Sequence, residues 1–313
     1  MEYGSGVPDF DGDLRSNAVI LSYHGSVADL GDMPGFLRNI RRGRPVPDEL
    51  LQEVVHRYQH IGGSPLIEQS QQQASLLEAR LGIPVRSAGR LWHPYPSQIL
   101  GELVGLGATR ILSLPLAPQS VDVYHHAVRE AHEAMAAPRP ALVCAPAWGL
   151  EPLLIDAFAE TVDEGLAKLA PARPGEVGVL LTAHSLPVRV IQSGDRYEEQ
   201  FREMAAAVAE VLVRRGHTVD IAFQSQGASA EPWLGPDLAA GFGSMVARGI
   251  ENVLVAPVGF LAEHVETLYD LDVEAVKIAE RMGVKRYARA PAVAAKKTLI
   301  DALEAVARRA LCG

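Results

Sequence analysis

Eight short apolar runs, set apart by longer stretches of helical period, constrain this chain more than any other feature of its sequence. The clearest are Ala18–Tyr23, Arg110–Leu116, Pro140–Ala145, Val177–Ala183, Thr218–Phe223 and Asn252–Val258, with fainter ones at Pro84–Ser87 and Val284–Ala288. Between them the apolar spacing predicts helices over Asp48–His60, Pro65–Leu81, Ser97–Leu106, Tyr124–Met135, Glu151–Leu169, Tyr197–Arg215, Pro236–Arg248 and Ala292–Leu311. Strands that are apolar throughout, alternating with helices, belong to parallel sheets covered on both faces.

The strands divide into two sheets of four rather than one of eight. Pro-Ala-Arg-Pro-Gly at 171–175 reads as a linker, and the pattern restarts after it: VILSYHGS at 19–26 resembles VLLTAHSL at 179–186. The expectation is an α/β chain with a loose N-terminal tail over 1–16 and two similar domains over 17–172 and 173–313. The C-terminal helix is free to pack back on the first domain. Each half opens with a strand that ends at a histidine, His24 or His184. Ligands of open parallel sheets sit beyond the carboxyl ends of the strands, so both histidines are expected at the lips of one cleft.

Apolar residues make up 48% and charged residues 21% of the 313, enough for two domains with full cores. The net charge of −9, with both signs mixed along the chain, excludes a phosphate-binding surface and hence nucleic acid as partner. No apolar run approaches the roughly 18 to 20 residues of a spanning helix. The first 16 residues lack the basic start and apolar stretch of a signal peptide, and the expected location is the cytoplasm. The only cysteines are Cys144, in an apolar strand, and Cys312, too few for a four-thiolate cluster, so no iron–sulfur centre is expected. No surplus apolar helix stands out, and a monomer is expected.

The segment GFLAEHVETLYDLDVEAVKIAE, 259–280, concentrates acidic chemistry. Glu266, Asp270 and Glu274 recur at i, i+4, i+8, which stacks three carboxylates on one helical face; a divalent cation suits such a row, and a solvated acidic face is the plain alternative. In AHSLPVRVIQSGDRY, 183–197, His184 leaves a strand into a turn stiffened by Pro187, where a neutral imidazole accepts protons near neutral pH. A serine-hydrolase reading fails for want of a G-x-S-x-G elbow. FQSQGASAEPWLGPDL, 223–238, sets Trp233 in a polar loop, as an anchor or one wall of a flat-ligand pocket. FLRNIRRGRPVP, 36–47, gathers Arg38, Arg41, Arg42 and Arg44, whose guanidiniums grip carboxylates with paired hydrogen bonds.

Taken together these segments resemble the ferrochelatase family. The matching stretches are IRRGRPVP (40–47), RYQHIGGSPL (57–66), AHSLP with GDRY (183–187 and 194–197), FQSQGASAEPWLGPDL (223–238) and PVGFLAEHVETLYDLD (257–272), in the family's order and spacing over nearly the whole chain. The resemblance implies two Rossmann-like domains, each a four-stranded parallel sheet flanked by helices, with a porphyrin in the cleft between them. It implies insertion of Fe2+, as substrate, into that porphyrin in haem biosynthesis, with no organic cofactor. His184 and Glu266 fall on the family's catalytic pair. Asp270 and Glu274 fall on a carboxylate row that runs to an outer metal site, with room for a second divalent metal. Arg41, Arg42, Ser64, Tyr124 and Trp233 fall on porphyrin-binding positions. The chain is most similar to the compact bacterial type, which works on coproporphyrin III rather than protoporphyrin IX.

One departure stands out. The compact type carries a tyrosine just before the glycine after the first strand, where it ligates iron opposite the catalytic histidine. Here His24 precedes Gly25, and Tyr23, one residue back, is expected on the opposite face of the strand. The residue facing the metal is therefore expected to be His24, an imidazole able to ligate iron. Two other readings use the same fold and pocket: a cobalt or nickel chelatase for another tetrapyrrole, and a non-catalytic porphyrin or haem carrier. A two-lobed sugar- or amino-acid-binding protein is disfavoured by the want of an export signal.

Overall fold

In the computed structural model, which describes residues 16–170, 175–227 and 230–312, eight parallel strands form two four-stranded sheets. They are β1 (Asn17–Tyr23), β2 (Val85–Gly89), β3 (Arg110–Pro115), β4 (Ala141–Cys144), β5 (Val177–His184), β6 (Thr218–Gln224), β7 (Asn252–Ala256) and β8 (Arg286–Arg289). The sheet orders, β2-β1-β3-β4 and β6-β5-β7-β8, are the same topology written twice. β1 and β5 hold equivalent inner places, Val19 pairing with Val85 and Leu112, and Val179 with Val219 and Leu254. Every residue of β1 is buried, as is every residue of β5 before His184, because helices cover both faces.

The helices are α1 (Met33–Ile40), α2 (Asp48–His60), α3 (Leu66–Leu81), α4 (Pro96–Gly105), α5 (Val121–Glu133) and α6 (Pro152–Ala167) in the first half. In the second they are α7 (Val188–Gln192), α8 (Tyr197–Arg214), α9 (Leu238–Ala247), α10 (Val265–Leu268), α11 (Ala275–Arg281) and α12 (Lys297–Cys312). All eight helices expected from apolar spacing are present. The last begins at Lys297 rather than Ala292, because Ala294 takes a positive φ of 47° that no α-helix accommodates. α1 was not foreseen: it is a short amphipathic helix that buries Met33, Phe36 and Leu37, carries Arg38 in its last turn and ends just before Arg41. The proposed tail lies, but for Ser16, outside the described residues, as does the Pro-Ala-Arg-Pro part of the linker.

One apolar core runs through both halves, joining Leu21, Leu112 and Leu114 of the first sheet to Val179, Leu181 and Leu254 of the second through Phe158, Met204 and Leu303. α6 and α12 fill the space between. α12 lies against α3, α6, β3 and β4, where the Arg110 guanidinium donates to Leu311 O at 2.6 Å and Arg80 pairs with Asp301 at 2.9 Å. The outer face of each sheet has its own smaller cluster, around Ile20 and Leu103 in one and around Leu180 and Phe242 in the other. A shared core holds the two strand-end surfaces in fixed relation, which a cleft with groups on both walls requires.

Candidate active site

His184 is the last residue of β5, and several bonds hold its backbone. Ser185 N–H donates to Gln224 O at 2.7 Å, the Ser185 hydroxyl to Leu234 O at 2.9 Å, and the Tyr197 phenol to His184 O at 2.9 Å. The loop after β7 comes directly against this strand because Gly259 has no side chain. Its N–H donates to Thr182 O at 2.9 Å, and a Cβ there would stand 2.5 Å from Ala183 Cβ. That close approach lets the following turn bring His264 and Glu266 alongside His184. Gln224 then fixes the arrangement, donating to Glu266 O at 2.8 Å while accepting from the Thr182 hydroxyl at 2.7 Å.

Far apart in the chain, His184 and Glu266 meet: Nε2 lies 3.3 Å from Oε1. The other carboxylate oxygen is 3.3 Å from His264 Nε2, so Glu266 stands between two imidazoles. The separations are longer than the 2.7–2.9 Å of a tight charge-assisted bond, leaving the groups adjacent but unlocked. Nδ1 of His184 faces Ser185 O and donates to it, which turns Nε2 toward the cleft and Glu266. Burial opposes charge on His184, but the Glu266 carboxylate outweighs it and lifts the imidazole to about 9. Burial likewise opposes charge on Glu266, and the His184 imidazolium holds that carboxyl well below its usual range. At neutral pH the pair therefore holds one proton on the imidazole, as an ion pair.

His24 faces this pair from the end of β1. Tyr23 points the other way, 2% exposed, and burial pushes its phenol up to about 12; alternation along the strand has sent the two side chains to opposite sides. The His24 ring is open to water yet surrounded by protein, as a group on the floor of a cleft is, and it feels Glu266, His184 and His264 from the far wall. Burial, followed by the charge of Arg90, lowers His24 to about 4 and leaves its ring neutral with a lone pair free. Gly25 makes the turn possible: its φ is 111°, and a Cβ would stand 2.9 Å from Trp92 N.

The acidic row differs from its expected form. Asp270–Glu274 is a π-helical turn between α10 and α11, so Glu266, Asp270 and Glu274 do not run down one regular α-helical face. Nor is the row bare. Arg57 of α2 reaches across from the first half to Asp270 at 2.9 Å and Glu274 at 3.1 Å, while also meeting Glu53 at 2.6 Å. Among the described residues no three His, Cys, Asp or Glu side chains are grouped to hold a metal ion. Spacing alone did not reveal a cation already supplied by the protein.

Asp270 is 5% exposed, and burial raises its carboxyl to about 6 in spite of the bonds from Ser225 and Arg57. Its folded value lies above the unfolded one, so it favours the fold at acid pH and that contribution fades as pH rises from about 4 to about 6. Asp270→Asn is therefore expected to raise the melting temperature at pH 8, by about 1–3 kcal/mol in stability, and to change little at pH 4. Melting curves at the two pH values check this. Equal shifts at both would mean that charge is not what strains the site.

Of the other residues expected at the porphyrin, Tyr124 and Trp233 adjoin the pair or its strand, Ser64 adjoins Tyr58, Arg42 is near Arg90, and Arg41 has no described contact with any of them. Tyr124 of α5 is within the field of Glu266, its ring under the Arg90 guanidinium at 5.7 Å. Ser64, in the turn between α2 and α3, neighbours the Tyr58 phenol, which bonds Ser26 at 3.0 Å. Trp233 bridges to Pro187 just beyond His184, its indole over Gly227. Arg41 and Arg42 follow α1, Arg41 turning its Nε to Pro45 O at 2.7 Å and Arg42 extending with its own backbone at φ 54°. Sequence reasoning missed Arg57, Arg90, Gln224 and Tyr197 as parts of this site. Three of them lay in quoted segments, RYQH, FQSQ and GDRY, but a guanidinium or amide gives no periodic signal of what it will touch.

A duplicated parallel fold with a histidine–carboxylate pair at the strand ends of one half, and His24 of the other half within its field, is that of a metal chelatase, a lyase. Two solved structures share the fold: SirB from Bacillus subtilis with Fe3+, at TM-score 0.59 and 14% identity over 95% of each chain, and CbiX, the terminal enzyme for biosynthesis of siroheme in denitrifying bacteria, at 0.56 and 15% over 94% and 99%. The family model "Ferrochelatase" matches residues 16–311, and the chain belongs to the ferrochelatase family, whose members bind a porphyrin and Fe2+. A ferrochelatase of Acidobacterium capsulatum is 35% identical over 285 residues, 85% of this chain and 86% of that one. One of Deinococcus radiodurans is 33% identical over 301 residues, 93% and 95% of the two chains. The coproporphyrin III ferrochelatase of Anoxybacillus flavithermus is 33% identical over 288 residues, 88% and 90% of the two. No helix among the described residues is long and apolar enough to cross a membrane.

Proposed function

We propose that the chain inserts iron(II) into coproporphyrin III in preference to protoporphyrin IX, with His184 and Glu266 as the catalytic pair. The observation that carries this reading is the 3.3 Å meeting of His184 Nε2 with Glu266 Oε1, opposite the neutral imidazole of His24. Metal insertion releases two pyrrole protons for each Fe2+ taken up. Since the resting pair already holds one proton, His184 accepts another only after passing that one on. Glu266 is the receiving carboxylate, and His264 and Asp270 lie beyond it as the way out. His24 approaches the metal from the other face as axial ligand.

Arg41, Arg42, Ser64, Tyr124 and Trp233 hold the ring and its carboxylates, and their binding energy distorts the macrocycle at its centre. Asp270 and Glu274 form the outward path; a second divalent metal held by these two carboxylates would have to take the place of Arg57. The preference for coproporphyrin III is supported by the arginines after α1 and by relatives that carry that substrate in their names. Among the described residues the large exposed apolar side chains are spread over α1, α3, α4, α5, α8 and two loops, which supports a monomer.

A single-turnover absorbance assay of the full chain with iron(II), cobalt(II) and nickel(II) tests the reading. Iron is expected to enter coproporphyrin III fastest, and protoporphyrin IX with kcat/KM lower by about tenfold to a hundredfold, the range of one hydrogen bond to a charged group. Porphyrin that binds but stays unmetallated would make the chain a carrier; faster cobalt or nickel insertion into another tetrapyrrole would make it a different chelatase.

A further inference from the structure

Arg90 is a half-buried charge of the site that no described carboxylate answers. It directly follows β2, its N–H donates to Tyr23 O at 2.8 Å, and the next N–H, of Leu91, donates to His24 O at 3.0 Å. The guanidinium is therefore held beside His24 on the first half's wall. Its Nε is sealed from water and has no acceptor, and among the described residues no carboxylate or carbonyl meets the side chain. Its only described partner is the face of Tyr124, at 5.7 Å. Several arginines of neighbouring elements, unlike Arg90 and the exposed Arg42, meet carboxylates. Arg57 has Glu53, Asp270 and Glu274; Arg289 has Glu263 and Asp272; Arg189 has Glu231; Arg202 has Glu198.

A half-buried guanidinium without an anion is unfavourable, and Arg42 nearby adds a second positive charge rather than relief. Tyr124 offers a π face, which attracts a cation but leaves its N–H donors unsatisfied. Two guanidiniums that repel each other across an open space define a place for a carboxylate from outside the chain. We infer that Arg90 is a specificity-determining residue that receives a carboxylate of the tetrapyrrole on the His24 side of the cleft, sharing it with Arg42. The inference rests on the porphyrin reading above and adds an anchor that favours a ring with more carboxylates.

The test is equilibrium binding of metal-free coproporphyrin III, with four carboxylates, and of mesoporphyrin IX, with two, to the wild-type chain, Arg90→Met and Arg90→Lys. Fluorescence quenching reads the dissociation constants. Arg90→Met is expected to weaken coproporphyrin III by about tenfold or more and mesoporphyrin IX by clearly less, with Arg90→Lys recovering part of the loss by restoring the charge without the fork. Its thermal stability is expected to hold or rise, since an unpaired charge has been removed. Equal weakening of both porphyrins, or unchanged binding of both, overturns the inference, as does an Arg90→Met protein that fails to fold, which would make the residue a prop for Tyr124. Iron insertion by the wild type is read separately: if it is absent while the binding contrast holds, the proposed function falls and the carboxylate site stands.

Discussion

With His184 replaced by alanine, insertion of iron(II) falls by about 10²–10⁴, the worth of one well-placed proton acceptor, while metal-free porphyrin still binds. The reason is geometric. His184 Nε2 stands 3.3 Å from Glu266 and its Nδ1 is committed to Ser185 O, so no other imidazole takes its place. His264 lies on the far side of Glu266, beyond the carboxylate it shares. The porphyrin's grip comes instead from the ring edge and from the opposite wall, which the substitution leaves alone. Porphyrin affinity by fluorescence and turnover by absorbance separate the two effects. An unchanged insertion rate removes His184 from the chemistry.

Glu266→Gln has the second large effect, and it has a pH signature. In the wild-type protein the carboxylate holds His184 at about 9, so kcat/KM is expected to rise with pH until about 9 as the accepting form of the imidazole appears. Without that charge, burial is opposed only by the Ser185 carbonyl and the more distant Asp270, and His184 falls back toward its ordinary value, about 6.5. The rising limb of Glu266→Gln therefore moves to acid, from about 9 toward about 6.5. The plateau is lower by about 10²–10⁴, because the proton's exit is gone. The same linkage governs folding: the ion pair stabilises fully between about pH 4.5 and about 6.5, loses its contribution as pH rises through about 9, and loses it again in acid as Glu266 takes up a proton. A pH–rate profile of the variant that keeps the wild-type limb would show that Glu266 does not set the His184 proton.

How much of this was legible beforehand follows from what kind of signal each feature carries. Strands such as Val177–His184 are apolar on both faces because helices cover them, and that pattern is local. The duplication was visible in two strands ending at His24 and His184, since the same topology asks for the same sequence twice. The motif that ends in Glu266 was legible as well, and strand alternation was enough to separate His24 from Tyr23. The ion pairs of Arg57 were not, because they join α2 to a turn more than two hundred residues later. The π turn at Asp270–Glu274 was also hidden: three carboxylates at spacings of four look the same in sequence whether or not an extra residue widens the turn.

The eight strands, their division into two like halves, and the histidine that leaves each leading strand could all be read from local pattern, because these depend on neighbours along the chain and on the alternation of faces. Only the tertiary structure decided that Gly259 lets one loop lie flat on β5, that Glu266 sits between His184 and His264, and that Arg57 already occupies the outer carboxylates while Arg90 meets none. Those facts are distances and charges between residues remote in the chain, and they exist only once the shared core has brought the two strand-end surfaces face to face.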